Sequence, residues 1–509
     1  MTVENAKHIV LVPMIMWDVN YAGHARPMCT LATRLVKLRN VVITMFMSAA
    51  FYERVQAEIV KDFDPEEAAL LSKITLVPLK QSNSPFDSAS YEADFLDTWA
   101  RFMQGQPLSG YTADRTPRVI DSSEKDSLSG AIIDMFAVHA FKELNGVKDS
   151  LHMKVFIFYP AAASALIYWF GEDRIARAEE LAARKGVSFH EAAHELWVVS
   201  KGALVNSECL PTMYDYEYRP QDIDFPPRFS GDILIYVYHG LREADGMITI
   251  DAADYHPSTT AVIRRWFAPK PAYFAGPLVP RSPGVLSLDQ AAAEVIKFMD
   301  GCLQSHGAKS VILISFGSMF WPADPVKVGV VLDVLMDKGV PFVLSRCSAL
   351  SVLTDDTAKK LDACATAFVS KWVPQQAALA HPATAWCITH AGHNGVFECI
   401  GANVPMILWP IDADQPANAI HLSDNLNVAY ELIEVRNGTG LGPIYRTGQH
   451  PSGTLEAVAA EIRDVLVRAF GEDGKEKRAR LDVLRRTLQA AWAEDGVARR
   501  EMETFLDTL

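Results

Sequence analysis

The chain has 509 residues, which is longer than a domain with a single hydrophobic core usually is. Because 49% of the residues are hydrophobic, the chain is too apolar to be largely disordered. Its 48 basic and 62 acidic residues give a formal net charge of −14, which disfavours nucleic acid and anionic lipid surfaces as partners. The seven cysteines form no Cys-x-x-Cys pair and indicate neither a disulfide framework nor a zinc ribbon. We therefore expect a two-domain cytoplasmic protein.

The first half of the chain alternates short β-rich apolar runs with helical patterns, which is typical of βαβ units. These runs are HIVLVP (8–13), VVITMF (41–46), AIIDMF (131–136) and KVFIFY (154–159). The start of the chain lacks the features of a secretory signal. The apolar stretch 155–170 contains Pro160 and is shorter than the roughly 20 residues that span a bilayer. It predicts a strand, a turn and the start of a helix, with no transmembrane segment.

The same alternation restarts in the second half, at 311–318, 341–345, 386–389 and 405–410. Between the halves lies a proline cluster, which stiffens the chain and removes backbone donors. The pattern predicts two α/β domains with a cleft between them. The expected parts are an N-terminal Rossmann-like domain (1–267), a proline-rich linker (268–285), a C-terminal Rossmann-like domain (286–475) and a helical segment (476–509).

Most of the chemical information lies in residues 372–415, called here the donor segment: WVPQQAALAHPATAWCITHAGHNGVFECIGANVPMILWPIDADQ. A strand ends at Thr389, and a helix opens near Asn394 after His390-Ala-Gly-His. Gly392 and Gly395 allow the backbone to approach a ligand closely. Because unpaired amides and the helix dipole both attract anions, this turn predicts a phosphate site.

Other side chains of the donor segment suit the remaining parts of a nucleotide sugar. Glu398 lies about one helical turn beyond Asn394, where a carboxylate can accept two bonds from a ribose diol. Trp372 offers a flat face for a base. Asp414 and Gln415 follow the strand PMILWP and offer an acceptor and an amide for sugar hydroxyls.

The donor segment resembles the donor-binding signature of the family-1 UDP-glycosyltransferases, W-x-P-Q, H-P, T-H-x-G-x-N-x-x-x-E, G-x-P, W-P and D/E-Q. VNSECL (205–210), GPLVP (276–280) and SFGS (315–318) resemble further landmarks of that family, in the expected order. The resemblance implies the GT-B fold, an α/β architecture of two facing Rossmann-like domains with parallel sheets, and a C-terminal helix able to cross back to the N-terminal domain. It implies an enzyme that transfers a sugar from a UDP-sugar donor.

The resemblance also implies roles for individual residues. Trp372 would stack on uracil, and Val373, Gln375 and Glu398 would hold base and ribose. The diphosphate would contact Ser318, His390 and Asn394, and Gly392, His393 and Gly395 complete the expected donor-binding residues. Asp414 and Gln415 would bind the sugar, and since a glutamine at the last position accompanies glucose in plant relatives, UDP-glucose is the leading donor.

Two positions depart from the plant form of the signature. His393 stands where plant members usually have Trp, and Gly395 stands where many have Ser. The chain is therefore closer to non-plant members, and the acceptor preferences of plant enzymes are not carried over.

Transfer to an alcohol requires a base, and histidine is suited to that near neutral pH. Gly23-His24-Ala-Arg-Pro27 matches the family's Gly-His-x-x-Pro, whose histidine is the general base. Its usual partner is an Asp at the end of a later strand, which assigns Asp134. The expected reaction is a single displacement with inversion. A helix N-terminus can serve the diphosphate, so we predict no cofactor and no required metal.

The acceptor pocket is expected in the N-terminal half. Met14, Trp17, Met135 and Phe136 lie beside the predicted His–Asp pair, and Phe95 and Trp99 share one helical face, for which core packing is the alternative. An apolar pocket would suit a phenolic or flavonoid, terpenoid or sterol hydroxyl. Two other functions stay open: a UDP-sugar epimerase or hydrolase of the same fold, and a catalytically silent glycosyltransferase-like partner protein.

Overall fold

The computed structural model describes residues 6–14, 21–80, 88–223, 227–280 and 290–509. Trp17, expected in the acceptor pocket, lies outside the described residues, as do 281–285 of the expected linker. Within the described residues, no helix is long and apolar enough to cross a membrane.

The first half forms a nine-stranded sheet in the order β11-β10-β7-β6-β1-β2-β3-β4-β5, parallel except where β4 pairs antiparallel with β3 and β5. β8 and β9 form a separate two-stranded ribbon. The central strands are buried on both faces, which explains their nearly continuous apolar sequences. The strands are β1 (Lys7–Val12), β2 (Val41–Ser48), β3 (Ile74–Leu79), β4 (Leu108–Thr112), β5 (Pro117–Ile120), β6 (Leu128–Asp134), β7 (Lys154–Tyr159), β8 (Leu204–Val205), β9 (Met213–Tyr214), β10 (Gly246–Thr249) and β11 (Ala272–Phe274).

Helices cover both faces of this sheet and form two separate cores with it. They are α1 (Arg26–Leu38), α2 (Tyr52–Lys61), α3 (Ser88–Met103), α4 (Val138–Val147), α5 (Ala163–Phe170), α6 (Ile175–Lys185), α7 (Phe189–Trp197), α8 (Pro227–Glu243) and α9 (Pro257–Phe267). The stretch 155–170 contains β7, a turn and α5, as the sequence predicted.

The second half forms a six-stranded, entirely parallel sheet in the order β14-β13-β12-β15-β16-β17. Its strands are β12 (Val311–Ser315), β13 (Phe342–Ser345), β14 (Ala367–Ser370), β15 (Thr384–Thr389), β16 (Met406–Leu408) and β17 (Ala429–Glu431). Its helices are α10 (Gln290–His306), α11 (Pro325–Asp337), α12 (Asp355–Ala363), α13 (Gln375–Ala380), α14 (His393–Gly401), α15 (Gln415–Ile420) and α16 (Leu455–Ala469). The predicted α/β architecture of two Rossmann-like halves is confirmed.

The structure corrects one expected boundary. Residues 272–274, expected in the linker, form β11 and pair with β10, so the N-terminal sheet extends into the segment 268–285. The prolines that suggested a linker flank an edge strand, which needs backbone donors on one side only and therefore tolerates Pro271 and Pro277 nearby.

The end of the chain joins both halves. α17 (Glu472–Ala490) buries Leu481 and Leu488 in the core of the C-terminal half. The helical path breaks at Gly496, and α18 (Val497–Thr508) packs on the N-terminal sheet. There the ring of Phe505 lies 5.0 Å from that of Phe156. The predicted return of the C-terminal helix to the N-terminal domain is confirmed.

Candidate active site

A cavity of about 780 Å³ lies between the two sheets, lined by residues of both halves. It lies where the carboxyl ends of β6 and β7 of one sheet face those of β12 and β15 of the other. Open α/β sheets place their ligands at this edge, because the loops that follow the strands meet there. The predicted donor and catalytic residues converge on this cavity.

His24 and Asp134 form a hydrogen-bonded pair on the N-terminal wall of the cavity. His24 lies in the turn Tyr21–Ala25, directly before α1, and Asp134 is the last residue of β6. The His24 Nδ1 and Asp134 Oδ2 atoms are 2.7 Å apart. The Asp134 side chain is fully buried, whereas 13% of the His24 side chain is exposed to the cavity. The backbone N–H of Phe136 donates to the other carboxylate oxygen, Oδ1, over 3.0 Å. The carboxylate is therefore fixed, and Nε2 of His24 is left as the nitrogen that serves a substrate.

A sharp turn between β15 and α14 faces this pair. Ala391 has a φ of 69°, a left-handed conformation that is rare for a residue with a side chain and often marks a functional site. Its carbonyl accepts a hydrogen bond from Asn418 Nδ2 over 2.8 Å, which holds the turn. Gly392 is the N-cap of α14 and has no side chain with which to cap the helix, so the first amides remain available to an anion.

His390 is packed against two glycines behind this turn. A Cβ atom on Gly392 would lie 2.5 Å from His390 Nε2, and one on Gly317 would lie 2.8 Å from it. Burial lowers the pKa of His390 to about 4, although a backbone hydrogen bond with Ser315 opposes this effect. The imidazole is therefore neutral at pH 7 and acts toward a phosphate as a hydrogen-bonding group rather than as a cation.

Glu398, the predicted ribose ligand, is held from several directions. Gln375 Nε2 donates to its Oε2 over 2.6 Å, and Gln376 Nε2 donates to its Oε1 over 3.0 Å. Arg26, at the start of α1, forms a salt bridge with Oε1 from the opposite half of the molecule. Gln375 in turn accepts a hydrogen bond from Ser315 over 2.8 Å. The carboxylate is thus oriented and charge-compensated.

Trp372, Val373 and Ser318 all line the cavity, as do Asn394 and Gly395. The Trp372 side chain remains 39% exposed, so a face of its indole is accessible for stacking, while Val373 is buried. Asn394 Nδ2 donates to the carbonyl of Gly23, next to His24, over 2.8 Å. The structure therefore brings these predicted donor residues together around one space.

The His393 side chain lies between the two halves of the molecule. The imidazole is fully buried, 3.5 Å from Asp251 Oδ1 of the N-terminal half, and its Nδ1 lies 3.0 Å from Asn418 Oδ1. Burial lowers the pKa of His393, but the nearby Asp251 carboxylate outweighs burial and raises it above its ordinary value. The side chain contributes to the contact between the two halves.

The predicted sugar ligands are also partly engaged with the protein. Asp414 Oδ2 accepts from the backbone N–H of Ala162 over 3.0 Å, across the two halves. Gln415 Oε1 accepts from the backbone N–H groups of Ile411 and Asp412 over 2.9 and 3.2 Å. Both residues line the cavity, and these contacts fix the loop that carries them.

The acceptor side of the cavity has an apolar wall that the sequence identified only in part. Met135 and Phe136 line it as predicted. α5 and α8 supply the residues that sequence reasoning missed: Trp169, Phe170, Ile233 and Leu234. The aromatic cluster at the end of the stretch 155–170 was the available signal for the first two, whereas nothing local to α8 distinguishes its cavity face from its core face.

Three of the predicted acceptor residues are corrected. Phe95 and Trp99 of α3 are fully buried and pack against Phe46 of β2, because the apolar face of α3 covers the sheet. Met14 follows β1 and is also buried, outside the lining of the cavity. The shared helical face of Phe95 and Trp99 thus marks core packing, the alternative left open by the sequence.

In the parts of the chain that the structure covers, no three His, Cys, Asp or Glu side chains are grouped so as to hold an ion. All seven cysteines are free thiols.

Comparison with known proteins agrees with this geometry. Residues 270–434 match the family described as UDP-glucoronosyl and UDP-glucosyl transferase. UDP-glycosyltransferase eriJ of Hericium erinaceus is 28% identical, covering 98% of this chain and 98% of its own. The hydroquinone glucosyltransferase of Rauvolfia serpentina is 22% identical, and the alignment covers 98% of this chain and 97% of the relative.

Solved structures share the fold over the whole chain. Phytolacca americana UGT2, complexed with UDP-2fluoro-glucose and pterostilbene, aligns with a TM-score of 0.65 at 17% identity over 99% of both chains. A transferase from Siraitia grosvenorii in complex with UDP aligns with a TM-score of 0.65 at 18% identity, over 98% of this chain and 99% of the transferase.

The two facing α/β sheets, with the turn from β15 into α14 beside the cavity, define the class, a glycosyltransferase of the GT-B fold. Residues 270–434 match the UDP-glucoronosyl and UDP-glucosyl transferase family, and nearly the whole chain is similar to a UDP-glycosyltransferase at 28% identity.

Proposed function

We propose that the protein transfers a sugar, with glucose the leading candidate, from a UDP-sugar to a hydroxyl of a small hydrophobic acceptor, with inversion at the anomeric carbon. The observation that carries the proposal is the His24–Asp134 pair, which faces the start of α14 across one shared cavity. A base on one wall and an anion site on the other are what a direct displacement from a nucleotide sugar requires.

The donor is proposed to bind on the C-terminal wall. The exposed face of Trp372 supports stacking on uracil, with Val373 and Gln375 beside it. Glu398 is the proposed ligand of the ribose hydroxyls, and the hydrogen bonds that fix its carboxylate support this role. The amides at Gly392–Gly395, with Ser318, Asn394 and neutral His390 nearby, suit the diphosphate. Asp414 and Gln415 remain the proposed contacts for the sugar hydroxyls.

The proposed acceptor binds on the N-terminal wall. Met135 and Phe136, together with the aromatic wall from α5, offer apolar surface beside His24. The ring centroids of His24 and Phe136 are 5.4 Å apart, so an acceptor lying on Phe136 would present its hydroxyl close to the base. The relative named for hydroquinone and the neighbour that contains pterostilbene support a phenolic acceptor among the expected classes.

The proposed reaction is a single displacement. The acceptor O–H proton passes to Nε2 of His24 as its oxygen forms a bond to the anomeric carbon. The bond from that carbon to the β-phosphate oxygen breaks, and UDP leaves with the electron pair. Asp134 holds the imidazole and stabilises the imidazolium that forms. The negative charge on the leaving group meets the amides at the start of α14.

We propose that this reaction requires no metal ion. The support is the uncapped start of α14, whose amides and dipole can stabilise a diphosphate directly. A glycine at the N-cap keeps those amides accessible.

The test is a screen of UDP-glucose with phenols, flavonoids, terpenoids and sterols, in buffer with and without EDTA, read by mass spectrometry and NMR of the anomeric proton. The proposal predicts β-glucosides of at least one acceptor class, formed equally well with EDTA. Transfer that gave only α-glucosides, or that stopped in EDTA, would contradict the inverting, metal-independent reaction. Release of free glucose without any acceptor would favour a hydrolase instead.

A further inference from the structure

Arg26 has a contact that the reaction described above does not use. It is the first residue of α1, two positions after His24, and it belongs to the N-terminal half. Its Nη2 atom forms a salt bridge with Oε1 of Glu398 in the C-terminal half. Only 17% of the Arg26 side chain and 1% of the Glu398 side chain are exposed, so solvent screens this pair weakly. Both residues line the cavity.

The surroundings of Glu398 make the charge of Arg26 significant. Gln375 and Gln376 orient the carboxylate, but both are neutral amides. Arg26 is the cation that balances it. Glu398 lies on α14 about one turn from Gly392–Gly395, where the diphosphate is proposed to bind. A buried carboxylate at that distance from a diphosphate would repel it unless a cation neutralised the carboxylate.

A second contact joins the same two segments. Asn394 Nδ2 of α14 donates to the carbonyl of Gly23 over 2.8 Å. α14 therefore contacts the segment 23–26 at two points, one on each side of His24. The helix proposed to bind the donor and the segment that carries the proposed base are fixed to one another by Asn394–Gly23 and Glu398–Arg26.

We propose that Arg26 is a positioning residue of the donor site, which neutralises Glu398 from across the cleft. The Glu398 carboxylate can then bind the ribose although the negatively charged diphosphate is bound beside it. This inference rests on the proposed binding of UDP to α14 and Glu398. Through the same salt bridge, Arg26 ties the donor site to the segment that carries His24.

Binding of UDP and of uridine, measured by calorimetry, separates this role from a merely structural one. Arg26→Ala leaves an uncompensated negative charge, so the Kd for UDP is expected to rise at least about tenfold, while the Kd for uncharged uridine rises less than about threefold. Arg26→Lys keeps the charge and is expected to recover most of the UDP affinity. Arg39→Ala is the matched control, because Arg39 follows the other end of α1 and pairs with Glu503 outside the cavity.

Glu398→Gln provides the decisive comparison, since it removes the charge that Arg26 balances. In that background, Arg26→Ala is expected to change the ratio of the UDP and uridine Kd values by less than about twofold. Two results would overturn the role of Arg26: equal weakening of UDP and uridine by Arg26→Ala, or a phosphate-selective loss that persists in the Glu398→Gln background. Wild-type protein that bound neither UDP nor UDP-glucose would instead overturn the proposed donor site itself, and the role of Arg26 with it.

Discussion

At the scale of single residues, the carboxylates and the imidazoles of the site lie in different surroundings. Asp134 and Glu398 are buried carboxylates, each held by specific donors. His390 is half-buried, and desolvation lowers its pKa to about 4. The imidazole proposed to take up a proton in the reaction is that of His24, which is partly exposed to the cavity and held by Asp134.

Trp372 gives a direct test of the donor site at this scale. Base stacking on an aromatic side chain contributes roughly 1–3 kcal/mol by alanine substitution, so Trp372→Ala is expected to raise the Kd for UDP by about ten- to a hundredfold. Trp372→Phe keeps an aromatic face and is the control, with a smaller loss. Equal UDP binding by the alanine variant, measured by calorimetry, would show that the indole does not hold the base.

At the scale of elements, the turn from β15 into α14 concentrates the chemistry in a short stretch of chain. The left-handed Ala391, the N-cap Gly392 and the ring of His390 fit together only without a side chain at 392. The turn is held by Asn418 of α15, so the anion site depends on packing between two helices of the same half.

Gly392→Ala tests this element. The added Cβ would lie 2.5 Å from His390 Nε2, so the ring or the turn must shift. We expect UDP affinity to fall at least about tenfold while uridine affinity changes little, since the shift affects the phosphate site. Gly401→Ala, at the other end of α14, meets no atom within 4 Å and is the control. If Gly392→Ala bound UDP as tightly as Gly401→Ala, the turn would not be the phosphate site.

The sequence predicted the elements of the donor site better than those of the acceptor site, for a physical reason. The donor residues from 372 to 415 lie within one local strand–turn–helix pattern. Their spacing along the chain therefore predicts where they lie relative to one another. The acceptor wall combines Met135 and Phe136 with residues of α5 and α8, which only the tertiary fold brings together. Helical periodicity cannot separate a pocket from a core, which is why Phe95 and Trp99 were assigned to the pocket and lie in the core.

At the scale of the whole molecule, polar contacts and one helix tie the two halves. Four polar contacts cross the cleft around the cavity: His393–Asp251, Asp414–Ala162, Asn394–Gly23 and Glu398–Arg26. α18 returns to the N-terminal sheet on the far side. The proline-rich pattern predicted a linker at 268–285 and a cleft between the halves. It could not predict contacts between residues hundreds of positions apart, because such contacts leave no local pattern in the sequence.

Buried histidines make the stability of the whole molecule pH-dependent. Burial lowers the pKa values of His8, His390 and His421 to about 4, below the value of about 6.5 for unfolded histidine. The unfolded chain therefore binds more protons between pH 6.5 and 4, so stability is lost as the pH falls through that range, by up to roughly 3 kcal/mol for each histidine. The raised pKa of His393 acts in the opposite sense, since its contribution is lost as the pH rises through the folded pKa.

Thermal unfolding between pH 7 and 4.5 measures this effect, and His8→Asn isolates one part of it. His8 lies far from the cavity and its Nε2 is 2.8 Å from Thr44 Oγ1, a contact that an amide can retain in part. The wild-type Tm is expected to fall on acidification, and the fall is expected to be smaller in the variant. The same fall in both proteins would show that the burial of His8 does not contribute to acid sensitivity.

The measurement that tests the central claim most directly is acceptor-dependent UDP release from UDP-glucose by the wild type, His24→Ala and Asp134→Asn, with the UDP Kd of each determined in parallel. Removing a positioned base costs about 10²–10⁴ in rate, so we predict losses of kcat in that range for His24→Ala, a substantial loss for Asp134→Asn, and UDP Kd values close to that of the wild type. Undiminished acceptor-dependent turnover by His24→Ala would contradict the assignment of the base and the mechanism built on it.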